Sequence, residues 1–397
     1  MKLKHVVASM CVLGLAMPAF AATNSKIAKA EAIINQNAPV NNVSTMNWQN
    51  RVTVGGLINA DLLWGNNSPI GTFARTGHGS DVRLNNANLF VDATLNPWVT
   101  AHMNIAYYDR VADAGSYGDY YSAPYYAWLN ANANRLLLDE AYVTIGNFTR
   151  TPFYLRVGKQ YLSFGHYDRY PLFVSPAQLL SQLHTTALNA GVVTNDGFYG
   201  NVYAFTGKTK ENSSKEANIN NFGVKVGYLG ALHNVGLPNT HYNVNLGWLR
   251  NIYDVDAIQD AITSYNPGLT AKRVGGLSLH GGLCTGPFAL TANYVAALKR
   301  LVPFYYGGDP AGRLWAADVN GSYSFKSFNR DSKLGLSYQW TGNVSQMPFI
   351  MYTVPHYRFA VDYMVNLWKY TDLALGLAFN TGYKVDAPSY TTNSTDR

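Results

Sequence analysis

A period of two residues runs through most of this sequence. Segments of about ten residues alternate apolar with polar or small side chains, and turn-forming residues separate the segments. In one of them Ala87, Leu89 and Val91 share one face, whereas Asn86 and Asn88 share the other. Successive side chains of a β-strand point to opposite faces, so the pattern predicts strands that each have one apolar face. After the first two dozen residues the sequence has no apolar run of about 18 residues, the minimum for a spanning helix, which excludes a helical membrane protein.

Fifteen such segments can be read along the chain. They lie near residues 52–64, 86–95, 99–108, 136–146, 153–164, 188–194, 197–206, 221–229, 241–250, 274–284, 288–298, 314–325, 332–340, 356–365 and 372–381. The connections alternate between tight turns such as Asn96-Pro97 and long loops such as 109–135. Short turns at one end and long loops at the other are typical of bacterial outer-membrane barrels.

The predicted fold class is therefore all-β, a transmembrane antiparallel up-and-down β-barrel of about 16 strands. Single-chain bacterial barrels have even strand numbers, so the sequence predicts that a sixteenth, closing strand is absent from it. The apolar faces are predicted to meet lipid and the polar faces to line the interior. A soluble secreted β-protein with the opposite arrangement is the alternative.

Composition and the placement of aromatic residues favour the membrane barrel over the soluble β-protein. Charged residues make up 13% of the chain, about half of the roughly 25% that is usual in soluble proteins. Aromatic residues make up 14%, and many of them stand at strand ends, among them Trp64, Trp98, Trp248 and Trp340. Amphipathic rings at both ends of an apolar band form the interfacial girdles of membrane barrels.

The chain divides into three predicted parts. Residues 1–21 are predicted to be a signal peptide, with a basic start, an apolar stretch and the small-x-small site Ala19-Phe20-Ala21. Residues 22–50 form a polar periplasmic leader in which 26–36 is compatible with a short helix, and residues 51–397 form the barrel. Removal of the signal peptide leaves Cys284 as the single cysteine, which excludes a disulfide within the chain.

Charged and histidine side chains on the polar faces are the candidates for lining the lumen. They are Arg83, Asp92, His102, Glu140, Arg156, Lys225, His280, Asp318, Lys333, Arg358 and Asp362. Opposed charges set the field in a pore, and their slight basic excess predicts a weak preference for anionic solutes. The segment 165–187 is the predicted constriction, with His166, Asp168 and Arg169 as its candidate residues.

Enzymatic chemistry has no recognisable machinery in the sequence. We find no metal-spaced His/Cys/Asp cluster, no Gly-rich phosphate loop and no GxSxG motif. The expectation is a protein that is not an enzyme, has no cofactor and binds no nucleic acid. Its expected partners are outer-membrane lipid and lipopolysaccharide, a small-molecule solute and, in a homotrimer, further copies of itself.

Four stretches carry a resemblance to a known family. They are DVRLNNANLFVDATLNPWVTAHMNIAYYD (81–109), LLLDEAYVTIGN (136–147), YLRVGKQYLSFGHYDRYPLF (154–173) and SQLHTTALNAGVV (181–193). The chain resembles, over roughly residues 50 to 385, the LbtU-type siderophore porins, outer-membrane barrels of bacteria such as Legionella and Coxiella. The resemblance implies a sixteen-stranded barrel that takes up ferric siderophore without a plug domain.

Three functions follow as hypotheses. The first is a porin-like channel of the outer membrane that mediates ferric-siderophore uptake. The second is a general or weakly anion-selective porin, which shares the barrel and differs in its solute. The third is a surface structural or adhesive barrel, whose tyrosine-rich loops such as 109–126 bind a partner outside the cell.

The signal peptide gives the first testable prediction. We expect secretion to remove residues 1–21, so that the mature protein begins at Ala22. Intact-mass measurement and N-terminal sequencing of protein extracted from outer membranes check this. A mature chain that still starts at Met1 would contradict it.

Overall fold

The computed structural model describes most of the chain. The described residues are 6–13, 33, 45–48, 51–66, 78–108, 135–167, 172–209, 218–232, 239–265, 271–301, 312–344, 354–368 and 371–382. Helical structure within them is short: α1 (Pro176–Leu179), a 3₁₀ turn (Ile252–Asp254) and α2 (Asp256–Tyr265). None of these described helices has the length and apolar character that crossing a membrane requires.

Strands dominate the described residues. They are β1 (Val6–Leu13), β2 (Thr45–Trp48), β3 (Val52–Asn66), β4 (His78–Asn96), β5 (Val99–Tyr108), β6 (Arg135–Gly146), β7 (Phe153–Tyr161), β8 (His184–Val193), β9 (Phe198–Phe205), β10 (Asn221–Ala231), β11 (Thr240–Leu249), β12 (Gly276–Thr285), β13 (Phe288–Ala297), β14 (Trp315–Ser327), β15 (Arg330–Gly342), β16 (Tyr357–Trp368) and β17 (Thr371–Thr381).

The strands form one closed antiparallel sheet. From β3 to β17, consecutive strands pair with each other. The sheet therefore has an up-and-down topology without a crossover connection. The fifteen strands predicted from the sequence correspond one to one to β3–β17, and the predicted all-β, antiparallel fold class is confirmed. Ends differ by a few residues, since β4 already begins at His78 and β8 at His184.

The sixteenth position is filled by β1. This strand runs antiparallel to both of its neighbours, with Val6 opposite Phe379 of β17 and Asn66 of β3. The short strand β2 pairs with the beginning of β3, where Thr45 lies opposite Gly55. While residues 1–21 are still attached, β1 from the predicted signal peptide therefore occupies the place of the closing strand that the sequence predicts to be absent.

The two faces of the wall have opposite polarity. On β11 the side chain of Val244 is 48% exposed on the outside, whereas its neighbour Asn245 is 6% exposed and faces inward. The outer face carries exposed Leu, Val, Ile, Phe and Tyr side chains on strand after strand. Soluble barrels have the reverse order, with apolar side chains inside. The alternation that the sequence predicted is therefore present, with its apolar side outward.

The two ends of the barrel also differ. At one end the described connections are tight, as in the hairpin Phe328-Asn329, where both residues have positive φ as a two-residue I′ turn requires. At the other end the connections are long, including residues 162–183 and 250–275. We call these the short-turn end and the long-loop end.

The polarity of the outer face gives a second prediction. Replacing Val244 at the middle of β11 by Arg places a charge in the apolar band, which costs about 2–4 kcal/mol of unfolding free energy in a lipid bilayer. The matched change Phe328→Arg, at a turn residue that is 92% exposed, costs about 0–1 kcal/mol because charges near the interface are hydrated. Urea unfolding in phospholipid vesicles measures both, and equal costs would count against the lipid-facing assignment.

Candidate functional site

A ladder of asparagine amides joins four neighbouring strands on the inner wall. Asn59 Nδ2 donates to Asn86 Oδ1 at 2.7 Å, and Asn86 Nδ2 donates to Asn88 Oδ1 at 2.5 Å. Asn88 donates to Asn104 at 3.1 Å, and Asn104 donates to Asp139 Oδ2 at 3.0 Å. All five side chains are buried, and each of the four amides donates to the next member, although Asn59 Oδ1 has no partner among the described residues.

A second ladder follows the wall from β12 to β17. Its members are His280, Asn293, Asp318, Asn320, Ser337, Gln339, Arg358 and Asn380. It begins with a 2.7 Å contact between His280 Nδ1 and Asn293 Oδ1, and it ends where Arg358 Nε donates to Asn380 Oδ1 at 2.9 Å. Hydrogen bonds between polar side chains thus link the inner faces of six consecutive strands.

A β-bulge turns two adjacent carboxylates into the lumen. The register of β5 and β6 shifts at this point, because Asn104 pairs with Glu140 whereas Ile105 pairs with Leu138. Asp139 is the extra residue, and both it (0% exposed) and Glu140 (2% exposed) are buried. The sequence predicted Glu140 but missed Asp139, because strict alternation assigns adjacent residues to opposite faces.

Charged and aromatic groups on strands β4–β7 form one connected cluster around Glu140. His102 Nδ1 lies 2.7 Å from Asp92 Oδ1, and His102 Nε2 lies 3.9 Å from Glu140 Oε2. The His102 ring stacks on Tyr142 at 4.9 Å, and the Arg156 guanidinium lies 4.1 Å from the centre of the same Tyr142 ring. The pattern predicted these four charged residues, and the structure brings them together on one stretch of wall.

The described parts of the connection between β7 and β8, residues 162–167 and 172–183, fold into the barrel, and we call them the crossing loop. Near its beginning Lys225 Nζ of β10 donates to the carbonyl oxygen of Gly165 at 3.1 Å, and Ser278 Oγ of β12 donates to that of Phe164. The ring of His166 stacks on that of His280 with centroids 3.6 Å apart. The first half of the loop is thereby held to the strands β10–β12.

Farther along, the crossing loop reaches another part of the wall. Phe173 packs against Ala360 and Ala378, and Arg358 Nη1 donates to the carbonyl oxygen of Val174 at 3.0 Å. Ser175 then caps α1 by accepting from Gln178 N at 3.1 Å, and proline at the first helical position suits this start. Helix α1 contacts β13, β14 and β15, so the loop spans the lumen before it returns to β8.

A second long connection, residues 250–275, lies against the crossing loop with its described parts, 250–265 and 271–275. Asp256 N donates to the carbonyl oxygen of Gln182 at 2.9 Å, and Asp256 Oδ1 accepts from His184 N at 3.1 Å. Asp254 Oδ1 accepts from the backbone N–H groups of Lys208 and Thr209, both at 2.9 Å. Burial raises the pKa of the Asp254 carboxyl, although these hydrogen bonds oppose the shift.

The two loops enclose an apolar core inside the long-loop end. Its fully buried members include Leu162, Phe164, Leu180, Leu249, Ile252, Tyr253, Val255 and Ile258, with Val295 and Ala316 from the wall. Within the described residues, no group of three His, Cys, Asp or Glu side chains is placed to hold a metal ion. The candidate site is therefore a lumen with a polar wall, inside which two loops pack against each other.

The structure places most of the predicted lumen residues on the inner wall. Seven of them are buried there: Glu140, Arg156, Lys225, His280, Asp318, Arg358 and Asp362. His102 and Lys333 are partly buried, and Asp92 is exposed. Arg83 lies on β4 opposite Asp61, with its side chain outside the described residues. Their part in solute passage stays a prediction.

The predicted constriction residues divide between described and undescribed positions. His166 lies in the crossing loop against His280, whereas Asp168 and Arg169 lie outside the described residues. The predicted segment 165–187 begins inside the crossing loop and runs into β8. The second loop, 250–275, is a contributor that sequence reasoning did not single out.

These features define a closed antiparallel β-barrel with an apolar outside, a hydrogen-bonded polar inside and two loops within its lumen. No family model matches the chain. It is similar to a UPF0422 protein of Coxiella burnetii, with 26% identity over 352 residues, which are 87% of this chain and 67% of the relative. A UPF0422 protein of Legionella pneumophila is 25% identical over 317 residues, which are 75% of this chain and 54% of that relative. The chain therefore spans between about half and two thirds of the length of these relatives.

Among solved structures, the chain is similar to the outer membrane channel DcaP of Acinetobacter baumannii. The alignment has a TM-score of 0.48 and 11% identity, and it covers 86% of this chain and all of that one. The fold assignment given above rests on the strand pairing of this chain itself.

The anchoring of the crossing loop gives a third prediction. Arg358→Met removes the donor to the partly buried carbonyl of Val174, so we expect the loop to loosen and to be cut faster by protease added at the long-loop end. Lys326→Met, at a cation whose side chain is 76% exposed at the short-turn end, is the matched control. Mass mapping of the fragments locates the cuts, and equal cleavage of both variants would refute an anchoring role.

Proposed function

We propose that this chain is a porin-like channel of the bacterial outer membrane. The observation that carries the proposal is the inverted polarity of the closed wall, apolar outside and polar inside. In hydrocarbon every backbone N–H and C=O must be paired within the protein, and a closed barrel is the one sheet that achieves this. A barrel of about sixteen strands is wide enough to enclose an aqueous lumen.

The crossing loop is the proposed constriction. It supports this role because it spans the lumen from β7 to the strands β13–β16 and is held at two separated points, by Lys225 and by Arg358. Both of these cations are 1% exposed and donate to loop carbonyls. They therefore act mainly as anchors, and the field felt by a solute comes more from accessible groups such as Asp92.

The proposed solute is a ferric siderophore. The resemblance of residues 81–109, 136–147, 154–173 and 181–193 to siderophore porins supports this choice. The names of the Coxiella and Legionella relatives state no substrate. A general or weakly anion-selective porin is the alternative, and it shares the barrel and differs in its solute.

One observation favours a second candidate, the structural or adhesive barrel. Four inner charged side chains of β10–β16 are at most 1% exposed, and the loops fill the long-loop end with apolar side chains; the four are Lys225, Asp318, Arg358 and Asp362. Such packing stabilises a barrel whether or not solute passes. The two candidates differ in whether the lumen conducts ions.

Conductance in planar lipid bilayers separates these candidates. We expect purified protein to give stepwise currents, and we expect Arg358→Met to raise the size of the steps because the constriction is then less firmly held. The variant Lys326→Met is the control for altered charge away from the loop. A barrel that inserts in the bilayer and stays silent would establish the structural candidate.

Uptake measurements test the solute. A strain that lacks this gene is expected to accumulate less radioactive iron from ferric siderophore under iron limitation, and a plasmid copy is expected to restore uptake. Uptake of a small neutral sugar in the same strain is the control for general permeability. Unchanged iron uptake beside reduced sugar uptake would assign the channel to the general porins.

A further inference from the structure

We propose that a basic rim on the strands β11–β14 binds the phosphate groups of lipid A, the membrane anchor of lipopolysaccharide. The basic rim consists of the cationic residues at the long-loop ends of these four neighbouring strands: Arg250, Lys272, Arg273, Lys299, Arg300 and Arg313. The inference rests on the outer-membrane location in the proposed function. It deepens that function, because it assigns a site on the barrel to lipopolysaccharide, which is so far an expected partner without a site.

Backbone pairing brings the members of the basic rim to one level of the wall. Leu298 N donates to the carbonyl oxygen of Gly275 at 2.8 Å, and Ala297 N donates to that of Leu314 at 2.8 Å. The pairing of β12, β13 and β14 therefore continues past the ends of the strands. The residues that directly flank this level are Lys272, Arg273, Lys299, Arg300 and Arg313. Because neighbouring strands lie about 4.8 Å apart, the rim is roughly 15 Å wide, and one lipid headgroup can meet several of its cations.

The basic rim is accessible from outside the barrel. Four of its members are exposed: Lys272, Lys299, Arg300 and Arg313. The guanidinium of Arg250 lies 5.2 Å from the centre of the Phe222 ring, which belongs to a side chain that is 41% exposed on the outer face. Arg250 thus lies on the side of the wall that meets the membrane.

An aromatic band lies on the outer face directly below the basic rim. Trp248 packs against Phe222 with ring centroids 5.6 Å apart, and Trp315 stacks on Tyr294 at 6.3 Å. Trp248 stands two residues before Arg250, and Trp315 two residues after Arg313. Tryptophan and tyrosine rings lie at the headgroup level of a membrane. The cations just beyond these rings are therefore at the level of the lipid phosphate groups.

The charge around the basic rim suits an anionic ligand. Residues 261–308 contain no Asp or Glu, although Lys272, Arg273, Lys299 and Arg300 all fall in this range. Within the described part of the chain, no ion pair joins Lys299, Arg300 or Arg313 to a carboxylate. In the loop 250–275 the carboxylates of Asp254 and Asp256 are each 8% exposed, and both accept hydrogen bonds from backbone N–H groups. The positive charge of the rim is thus available to a ligand from outside.

The basic rim is confined to one sector and one end of the barrel. At the long-loop ends of β15–β17, the described residues 342–344, 354–356 and 382 include no Lys or Arg. At the short-turn end of β14 and β15, the exposed Lys326 has a carboxylate beside it, with Nζ 4.0 Å from Asp331 Oδ1. Long loops face the outside of the cell in outer-membrane barrels. The outer leaflet there contains lipopolysaccharide, whose phosphate groups are the anions that arginine and lysine bind best.

Binding of purified deep-rough lipopolysaccharide tests the basic rim. The variant Arg300→Gln/Arg313→Gln removes two exposed cations of the rim. The matched control Lys326→Gln/Arg330→Gln removes the same charge from exposed positions at the short-turn end. Native mass spectrometry of the folded proteins in detergent counts the bound lipid during a titration. We expect the rim variant to bind roughly fivefold more weakly and the control to bind like the unmodified protein.

Equal binding by the rim variant and the control would overturn the proposal. Heat-dependent mobility on electrophoresis verifies that each barrel is folded. The single variant Arg313→Gln changes one exposed side chain only, and we expect roughly twofold weaker binding from it. A folded Arg313→Gln protein that binds like the unmodified one would also count against the rim.

Two further lipids identify the group that is recognised. Lipopolysaccharide whose phosphate groups have been removed enzymatically, and phosphatidylglycerol, are titrated in the same way. We expect the unmodified protein to prefer intact lipopolysaccharide over both and the rim variant to lose this preference. Equal binding of the dephosphorylated lipid would refute phosphate recognition, and equal binding of phosphatidylglycerol would refute the assignment to lipid A.

Bilayer conductance separates this proposal from the channel function. Stepwise currents from a protein that shows no preference for lipopolysaccharide would overturn the basic rim alone. A barrel that binds lipopolysaccharide through the rim, inserts in the bilayer and stays silent would support the rim and overturn the channel.

Discussion

The closed ring of backbone hydrogen bonds is the constraint on which the rest of this structure depends. A wall with an apolar outer face cannot rely on water to satisfy its N–H and C=O groups, so every strand needs two neighbours. The strands β4–β16 obtain theirs from the chain order alone. The seam between β17 and β3 is different, because it is filled by β1, a segment predicted to be removed on secretion. How this seam is closed in the mature protein decides how stable the barrel is.

The polar character of the inner face of the barrel follows from the apolar character of its outer face. Because the outer face is apolar, the polar side chains of each strand point into the shared interior, where many of them are buried. There an unpaired amide or charge is costly. The asparagine ladder links amides within the wall, whereas Lys225 donates to the crossing loop and Arg358 donates to both the loop and the wall. The crossing loop thus supplies acceptors to two buried side chains of the wall.

The sequence predicted the features of the strands that follow from their two-residue period. It missed the features that depart from that period. The strands β3–β17 and the inward side of Glu140 and Arg358 follow from alternation. Asp139 does not, because a bulge in β6 moves it to the inner face. Alternation also predicts on which face of the sheet Asn88 lies. It does not predict the hydrogen-bond partner of Asn88, because the register between neighbouring strands determines that partner. The inward position of the loop 250–275 was missed because loops carry no periodic signal. The strand β1 was missed because a short apolar run has the same composition in a signal peptide and in a strand.

Hydrogen bonds from the buried side chains of Lys225 and Arg358 hold the crossing loop in the lumen. Such bonds are directional, and they are lost only at the cost of leaving a buried charge unpaired. The crossing loop is therefore expected to keep its place in the folded barrel, as its proposed role as the constriction requires.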